Sequence, residues 1–173
     1  HVLHLGTEEN RSYYLPKAST NVSCGDRSVQ ERQLLLNGKW DFKYYPNPFV
    51  IEDFTQPDYS YAGYDTIPVP GCWQMYGYDK HQYTNIRYPF PYDPPYVPAE
   101  NPCGVYHRSF ALTADQCAYR QYLNFEGVDS CFYVYVNKKF VGYSQVSHST
   151  SEFEITKYVS EGENELTVVV LKW

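Results

Sequence analysis

The first clear periodicity begins after Asn37-Gly38. In Lys39-Trp40-Asp41-Phe42-Lys43-Tyr44 aromatic and charged residues alternate with period two, the pattern of a strand with one buried face. Residues 46 to 64 lose that alternation and read as a loop with one helical turn over Val50 to Phe54. Thr66-Ile67-Pro68-Val69-Pro70 is extended, because each proline drives its predecessor towards β or polyproline geometry. Beyond Gly104 the strands follow one another regularly. Val105 to Ala111 alternates weakly, and Arg120 to Phe125 puts Gln121, Leu123 and Phe125 on one face. Cys131 to Val136 is apolar on both faces, as a strand covered on both sides would be. Asn137-Lys138-Lys139 predicts a tight hairpin turn into Phe140 to Ser144, and Ser151 to Ile155 predicts one more short strand. From Glu165 to Trp173, Leu166, Val168 and Val170 face one way and Val169, Leu171 and Trp173 the other. Gly127 with Asp129, and Gly162 with Asn164, supply turns between these runs. The spacing predicts an all-β sandwich or barrel.

Two regions break the rhythm. Residues 1 to 32 are polar and aperiodic and read as an extended N-terminal arm laid over a partner domain, ahead of a β-domain spanning 33 to 173. Residues 76 to 104 are irregular, and six prolines between Pro89 and Pro102 exclude a helix or a central strand. Loops this long inside compact domains are often functional. The chain starts at His1 and stops at Trp173 straight out of an apolar strand, so it is expected to be a fragment of a longer multidomain chain.

Composition narrows the classes. The 173 residues suffice for one domain with its own core, and a hydrophobic share of 43% excludes a disordered chain. No run approaches the apolar length of a membrane span, and no basic-then-apolar leader precedes His1. A net charge of −6 with dispersed Lys and Arg argues against nucleic acid and membrane surfaces as partners. Cys24, Cys72, Cys103, Cys117 and Cys131 are odd in number and scattered, which predicts buried, reduced thiols in a cytoplasmic protein. The sequons at Asn10 and Asn21 would matter only in a secreted eukaryotic protein. The 20 tyrosines suit a sandwich meeting polar ligands or other domains, and an ordinary tyrosine-rich sheet almost as well.

Catalytic chemistry finds little support. A retaining glycosidase needs two carboxyl groups about 5–5.5 Å apart. The candidates Glu8-Glu9, Glu52-Asp53, Glu152, Glu154, Glu161 and Glu163 read as solvated surface, with Glu152 and Glu154 on one strand face. His81, His107 and His148 lie in unrelated contexts, and there is no Gly-x-Ser-x-Gly elbow. Cys103 with His107 makes a lone pair without two further spaced metal ligands, so no metal and no cofactor are expected in this segment.

One run of motifs carries a specific resemblance. Val69-Pro70-Gly71-Cys72-Trp73-Gln74-Met75-Tyr76-Gly77-Tyr78-Asp79 leads into Tyr83-Thr84-Asn85-Ile86-Arg87-Tyr88-Pro89, then Asn101-Pro102-Cys103-Gly104-Val105-Tyr106. Phe125-Glu126-Gly127-Val128-Asp129-Ser130, Val141-Gly142-Tyr143-Ser144-Gln145, Gly162-Glu163-Asn164-Glu165-Leu166 and Val170-Leu171-Lys172-Trp173 follow in order. Together with Asn37-Gly38-Lys39-Trp40, the pattern resembles the N-terminal sugar-binding domain of the large β-galactosidases of glycoside hydrolase family 2. The resemblance implies a jelly-roll, galactose-binding-domain-like sandwich without catalytic residues, joined to a (β/α)₈ barrel that hydrolyses terminal β-D-galactosides. A barrel needs about 250 residues, more than this chain offers. The resemblance further implies a galactoside substrate, a homo-oligomeric full-length enzyme, and magnesium and sodium ions in that enzyme. The asparagine of the Tyr-Thr-Asn motif reaches the sugar in that family, and Asn85 matches it. An amide suits this task because it donates to one hydroxyl and accepts from another.

Other motif residues read as structural: Trp73 as a plug of the sandwich, Asn101-Pro102 and Gly104 as the turn that starts a strand, and Gln145 as a buried network residue. Gly127, Gly142 and Gly162 read as positive-φ or close-approach positions. Three departures stand out. Cys103 replaces the family's Thr or Ser, and Lys138 replaces the glycine of an Asn-Gly hairpin turn. The acidic residues that follow the family's terminal tryptophan, one of which belongs to the substrate site, are not in this segment. Two further readings fit the same residues: an autonomous carbohydrate-binding module favoured by the tyrosines, and a structural domain whose arm mediates oligomerisation.

Overall fold

The computed structural model describes residues 14–17, 32–83, 85–145 and 147–173. Among them, β1 (Gly38–Tyr45), β2 (Asp65–Val69), β3 (Cys103–Leu112), β5 (Cys131–Val136), β6 (Lys139–Ser144) and β8 (Gly162–Leu171) form a six-stranded sheet in the order β2-β1-β3-β8-β5-β6. Each neighbouring pair is antiparallel. β4 (Tyr122–Phe125) and β7 (Ser151–Glu154) make a separate antiparallel pair. The arm expected over 1 to 32 lies largely outside the described residues, as do Cys24 and both sequons.

The alternation along each strand decides which side chains meet. Phe42 and Trp40 of β1, Tyr106 of β3, Leu166, Val168 and Val170 of β8, and Phe132, Val134 and Val136 of β5 share one face. That face packs on Leu123 of β4 and Phe153 of β7, giving the two layers of a β-sandwich. The opposite face presents Tyr45, Cys103, Val105 and Val169, and the segment between β1 and β2 covers it with Phe54, Tyr59, Tyr61 and Tyr64. Cover on both sides is why β5 and β8 read as apolar on both faces.

This cover is tyrosine-rich because ring bodies pack on the sheet while hydroxyls find polar partners. Glu52 accepts from Lys43 Nζ at 2.8 Å and from the Tyr59 hydroxyl at 2.7 Å. The Lys43 hydrogen bond, then that of Tyr59, holds the Glu52 carboxyl below its ordinary pKa. Tyr61 stacks on His107 with ring centroids 3.7 Å apart and shares a 2.7 Å hydrogen bond with Thr167.

Several expectations are corrected. The helical turn lies at Pro48–Val50 rather than 50 to 54, because Asn47 caps it by accepting from Phe49 N and Pro48 pre-sets its first position. A one-turn helix at Ala114–Cys117 (α1) follows β3, closed by a capping box in which Thr113 accepts from Gln116 N and Gln116 accepts from Thr113 N. Gly127 takes no positive φ and a side chain there would meet open space, whereas Gly162 does sit at φ +91°. Of the described cysteines only Cys103 is fully buried; Cys72 is exposed, and Cys117 and Cys131 are half-buried. Glu152 is buried at 3% exposure, against the solvated reading. It lies opposite Asn124 in mid-strand, and β6 closes over that end of β7 through a buried Ser151–Ser144 hydroxyl bond of 2.9 Å.

The β5–β6 hairpin turns through Asn137 (φ 49°) and Lys138 (φ 64°), a left-handed pair of the type I′ kind that favours glycine at the second position. Lys138 offsets its backbone cost through its side chain. Its ammonium donates to the carbonyls of Gln56 at 2.8 Å, Pro57 at 3.0 Å and Tyr59 at 3.3 Å, tying the hairpin to the tyrosine cover. Lys138→Met, which loses the bonds and keeps the strain, is expected to destabilise the chain by about 1–2 kcal/mol in urea unfolding. Lys138→Gly also loses the bonds but relieves the turn, so its loss should be visibly smaller.

Candidate functional site

The irregular segment between the 3₁₀ turn Trp73–Tyr76 and β3 is the part of the surface built to reach outwards. Trp73 is its root. Its ring is buried at 4% exposure against Phe42 and Tyr44, as the plug reading expects. Gly77 ends the 3₁₀ turn in the left-handed conformation, at φ 90°. Tyr78 then packs its ring edge-on to Phe42 at 4.9 Å, and its hydroxyl donates to Asp65 Oδ2 at 2.5 Å. That acceptor raises the phenol pKa to about 12, ahead of burial. From here to residue 100 no regular element forms among the described residues. Proline spacing explains this, since each proline removes a donor and fixes φ.

Asn85 stands in this loop, exposed, with its Nδ2 donating to the Tyr83 hydroxyl at 2.9 Å. Its second N–H and its carbonyl oxygen are the groups a sugar hydroxyl pair would require. Thr84, between them, is outside the described residues. Tyr83, Ile86, Tyr88, Tyr92, Tyr96 and Val97 are also exposed, an unusual density of apolar surface for one loop. Tyr88 meets Phe90 at 5.2 Å and Tyr92 at 5.5 Å in edge-to-face contacts, so part of the loop packs on itself.

The loop is secured where it leaves and rejoins the sheet. Asp79 forms an ion pair with Lys172, the residue that follows β8, and both side chains are largely buried. Asn101, buried at 3% exposure, binds the backbone of Trp173 twice: Nδ2 donates to the carbonyl at 2.8 Å and Oδ1 accepts from the amide at 2.9 Å. Lys172 N donates to the Pro102 carbonyl at 2.9 Å, and Phe90 lies edge-on to the Trp173 ring at 5.3 Å. Asn101 is therefore a two-bond anchor rather than a simple turn residue. Gly104, inside β3, lets Phe42 and Trp73 come close: a Cβ there would lie 2.5 Å from Phe42 Cε2 and 3.0 Å from Trp73 Cε3.

The remaining candidates do not converge on this loop. Cys103 and His107 share one face of β3, but four residues of strand set their Cα atoms roughly 13 Å apart. Cys103 sits among Tyr45, Phe54, Val105 and Val169, where burial pushes its thiol up to about 12. His107 pairs through Nδ1 with Asp41 at 2.8 Å. Glu52 is occupied by Lys43 and two tyrosines, and Glu154, Glu161 and Glu163 are exposed. Gln145 is half-buried. Among the described residues no group of three or more His, Cys, Asp or Glu side chains is placed to hold a metal ion.

Asp79, Lys172 and the Asn101–Trp173 pairing are the site-building contacts that the sequence did not reveal as partners. They join positions 72 to 93 residues apart, which no local pattern encodes.

Comparison with known proteins agrees with this architecture. The family model described as "Glycosyl hydrolases family 2, sugar binding domain" matches residues 34–173. A protein of Actinobacillus pleuropneumoniae described as a beta-galactosidase is 51% identical over 99% of this chain, and one of Staphylococcus xylosus with the same description is 41% identical over 99%. The chain spans 17% of the length of each. Among solved structures, a beta-glucuronidase of an uncultured Clostridium sp. matches with a TM-score of 0.57 and 25% identity over 78% of this chain and 21% of its own. A beta-D-mannosidase of Dictyoglomus thermophilum, at TM-score 0.55 and 24% identity over 80% of this chain and 15% of its own, shares the fold.

Proposed function

This chain belongs to the sugar-binding domains of glycosyl hydrolase family 2, and from that membership we propose that it is the non-catalytic N-terminal domain of a β-galactosidase. The observation that carries the proposal is the 51% identity across nearly the whole chain to a relative of which it spans only 17%. In this reading the loop anchored on β8 presents Asn85 to the galactose of a terminal β-D-galactoside. A (β/α)₈ barrel elsewhere in the same polypeptide supplies the acid/base and nucleophile.

The chemistry of the loop supports the assignment. Asn85 has one N–H engaged by Tyr83, which orients the amide while leaving a donor and an acceptor. A sugar whose hydroxyl is inverted would leave that amide unpaired in a closed site, so the contact contributes to selectivity as well as affinity. The exposed tyrosines around it suit a surface that becomes covered when the loop meets the rest of the enzyme. We further propose a cytoplasmic, homo-oligomeric full-length protein, a reading supported by the odd, scattered cysteines and by the family resemblance. The same proposal extends to magnesium and sodium in the full-length enzyme, with ligands supplied by the rest of the polypeptide.

In the full-length enzyme, Asn85→Ala is expected to lower kcat/KM for a chromogenic β-galactoside by about 10²-fold, the equivalent of about 2.7 kcal/mol, with an unchanged unfolding midpoint. An unchanged kcat/KM would remove Asn85 from the sugar site. Four exposed tyrosines in one loop also favour sugar stacking by the isolated module, and NMR titration of the chain with galactose tests this second reading. Shift changes saturating at millimolar galactose would establish it.

A further inference from the structure

The Asn85 loop owes its placement to its ends. Its middle is largely exposed and carries no regular structure, yet five contacts from its two limbs converge on Lys172 and Trp173. The returning limb is held by the Asn101 amide on Trp173 and by the Lys172–Pro102 backbone bond. The outgoing limb is fixed at Asp79, at φ 60°, by the ion pair to Lys172. Side-chain exposures of 13% and 10% mean that this pair is largely desolvated. The Lys172 ammonium also lies 5.1 Å above the Trp173 ring.

We propose that Asp79 and Lys172 are positioning residues for Asn85: the buried ion pair clasps the outgoing limb to the end of β8 and so sets where the Asn85 amide meets the sugar. This rests on the assignment of Asn85 to the sugar site.

Asn85 lies six residues beyond Asp79, a length of chain that can span roughly 20 Å. Hydrogen-bonding constellations at a reacting centre tolerate displacements of only about 0.5 Å. An anchor that is loose by a small angle at Asp79 therefore misplaces the amide by more than the site tolerates. The anchor on the other side is stiff, because Lys172 follows directly on β8, which is paired on both edges by β3 and β5. A buried ion pair is a poor source of net stability, since desolvation offsets much of its attraction. Its directional geometry is what a neutral pair would fail to reproduce. Stability and positioning should thus separate.

The test is a mutant cycle in the full-length enzyme, comparing Asn85→Ala, the neutral pair Asp79→Asn/Lys172→Met, and the triple variant. The neutral pair is expected to lower kcat/KM for a β-galactoside about tenfold while its Tm stays within about 3 °C of the parent. The triple variant is expected to be no worse than Asn85→Ala alone, because a positioning residue has nothing left to position. Amide exchange across residues 80–100 should quicken in the neutral pair. An additive loss in the triple variant, or an unchanged kcat/KM in the neutral pair beside an impaired Asn85→Ala, overturns the clasp and spares the sugar-site reading. An Asn85→Ala enzyme with full activity instead overturns the sugar-site reading, and the clasp with it. Should the neutral pair not fold, Lys172→Arg keeps the charge, changes the reach and runs the same cycle, and an additive loss there overturns the proposal equally.

Discussion

Asn164→Ala is expected to destabilise the chain by about 3 kcal/mol or more, the largest loss of any single polar substitution considered. Asn164 is 1% exposed at the start of β8 and has every polar group engaged. Its Nδ2 donates to the carbonyls of Ser160 at 2.8 Å and Gly162 at 3.1 Å. Its Oδ1 accepts from Ser160 N and from Asn137 Nδ2, both at 2.9 Å. Asn137 in turn donates to the Tyr158 carbonyl at 2.8 Å and accepts from Glu165 N at 2.9 Å. The buried Asn164 amide and the half-buried Asn137 amide thereby stitch the β5–β6 turn, the turn before β8 and β8 itself into one network. Truncating Asn164 removes four hydrogen bonds from a buried side chain at once and leaves their partly buried partners to find water. Urea unfolding of the variant should show a lower midpoint, and the double variant Asn137→Ala/Asn164→Ala should lose less than the sum of the singles. Strict additivity would mean that the two amides act separately.

Gly104→Ala is the second large effect, expected at about 2–3 kcal/mol. The new Cβ would overlap Phe42 Cε2 at 2.5 Å and press on Trp73. Neither ring has room: Phe42 is wholly buried between Trp73, Tyr78 and Tyr106, and β3 is hydrogen-bonded on both sides. The strain acts where the functional loop is rooted, since Trp73 begins the segment that leads to Asn85. Phe42→Leu should relieve part of the cost in the Gly104→Ala background, although it is destabilising alone. If Gly104→Ala were neutral in urea unfolding, the close packing of β3 under Trp73 would be wrong.

Period-two alternation made β1 legible in the sequence, because one of its faces must be apolar, and continuous apolar runs made β5 and β8 legible, because both of their faces are covered. The same rule held a clue about Asn164 that its turn-forming chemistry concealed. Counting back from Leu166, Val168 and Val170 places Asn164 on the buried face. The capping-box residues Thr113 and Gln116 and the Asn47-Pro48 pair also signalled their short helical turns, yet each run is too short for periodicity to register. Burial of Glu152 was not legible, since a carboxylate defaults to the surface unless tertiary neighbours are known. In the functional loop, composition showed only that prolines forbid regular structure. Asn85 stood out through the motif around it, and the Asp79–Lys172 contact through the fold alone.

Under the proposed function, residues 1–173 shape a sugar site without cleaving the sugar. The measurement that tests this most directly is hydrolysis of a chromogenic β-galactoside by the isolated chain, side by side with the full-length polypeptide at equal molar concentration. The full-length protein is predicted to release the chromophore, and the isolated chain to stay at the buffer rate. Turnover by the isolated chain near the full-length rate would contradict the account.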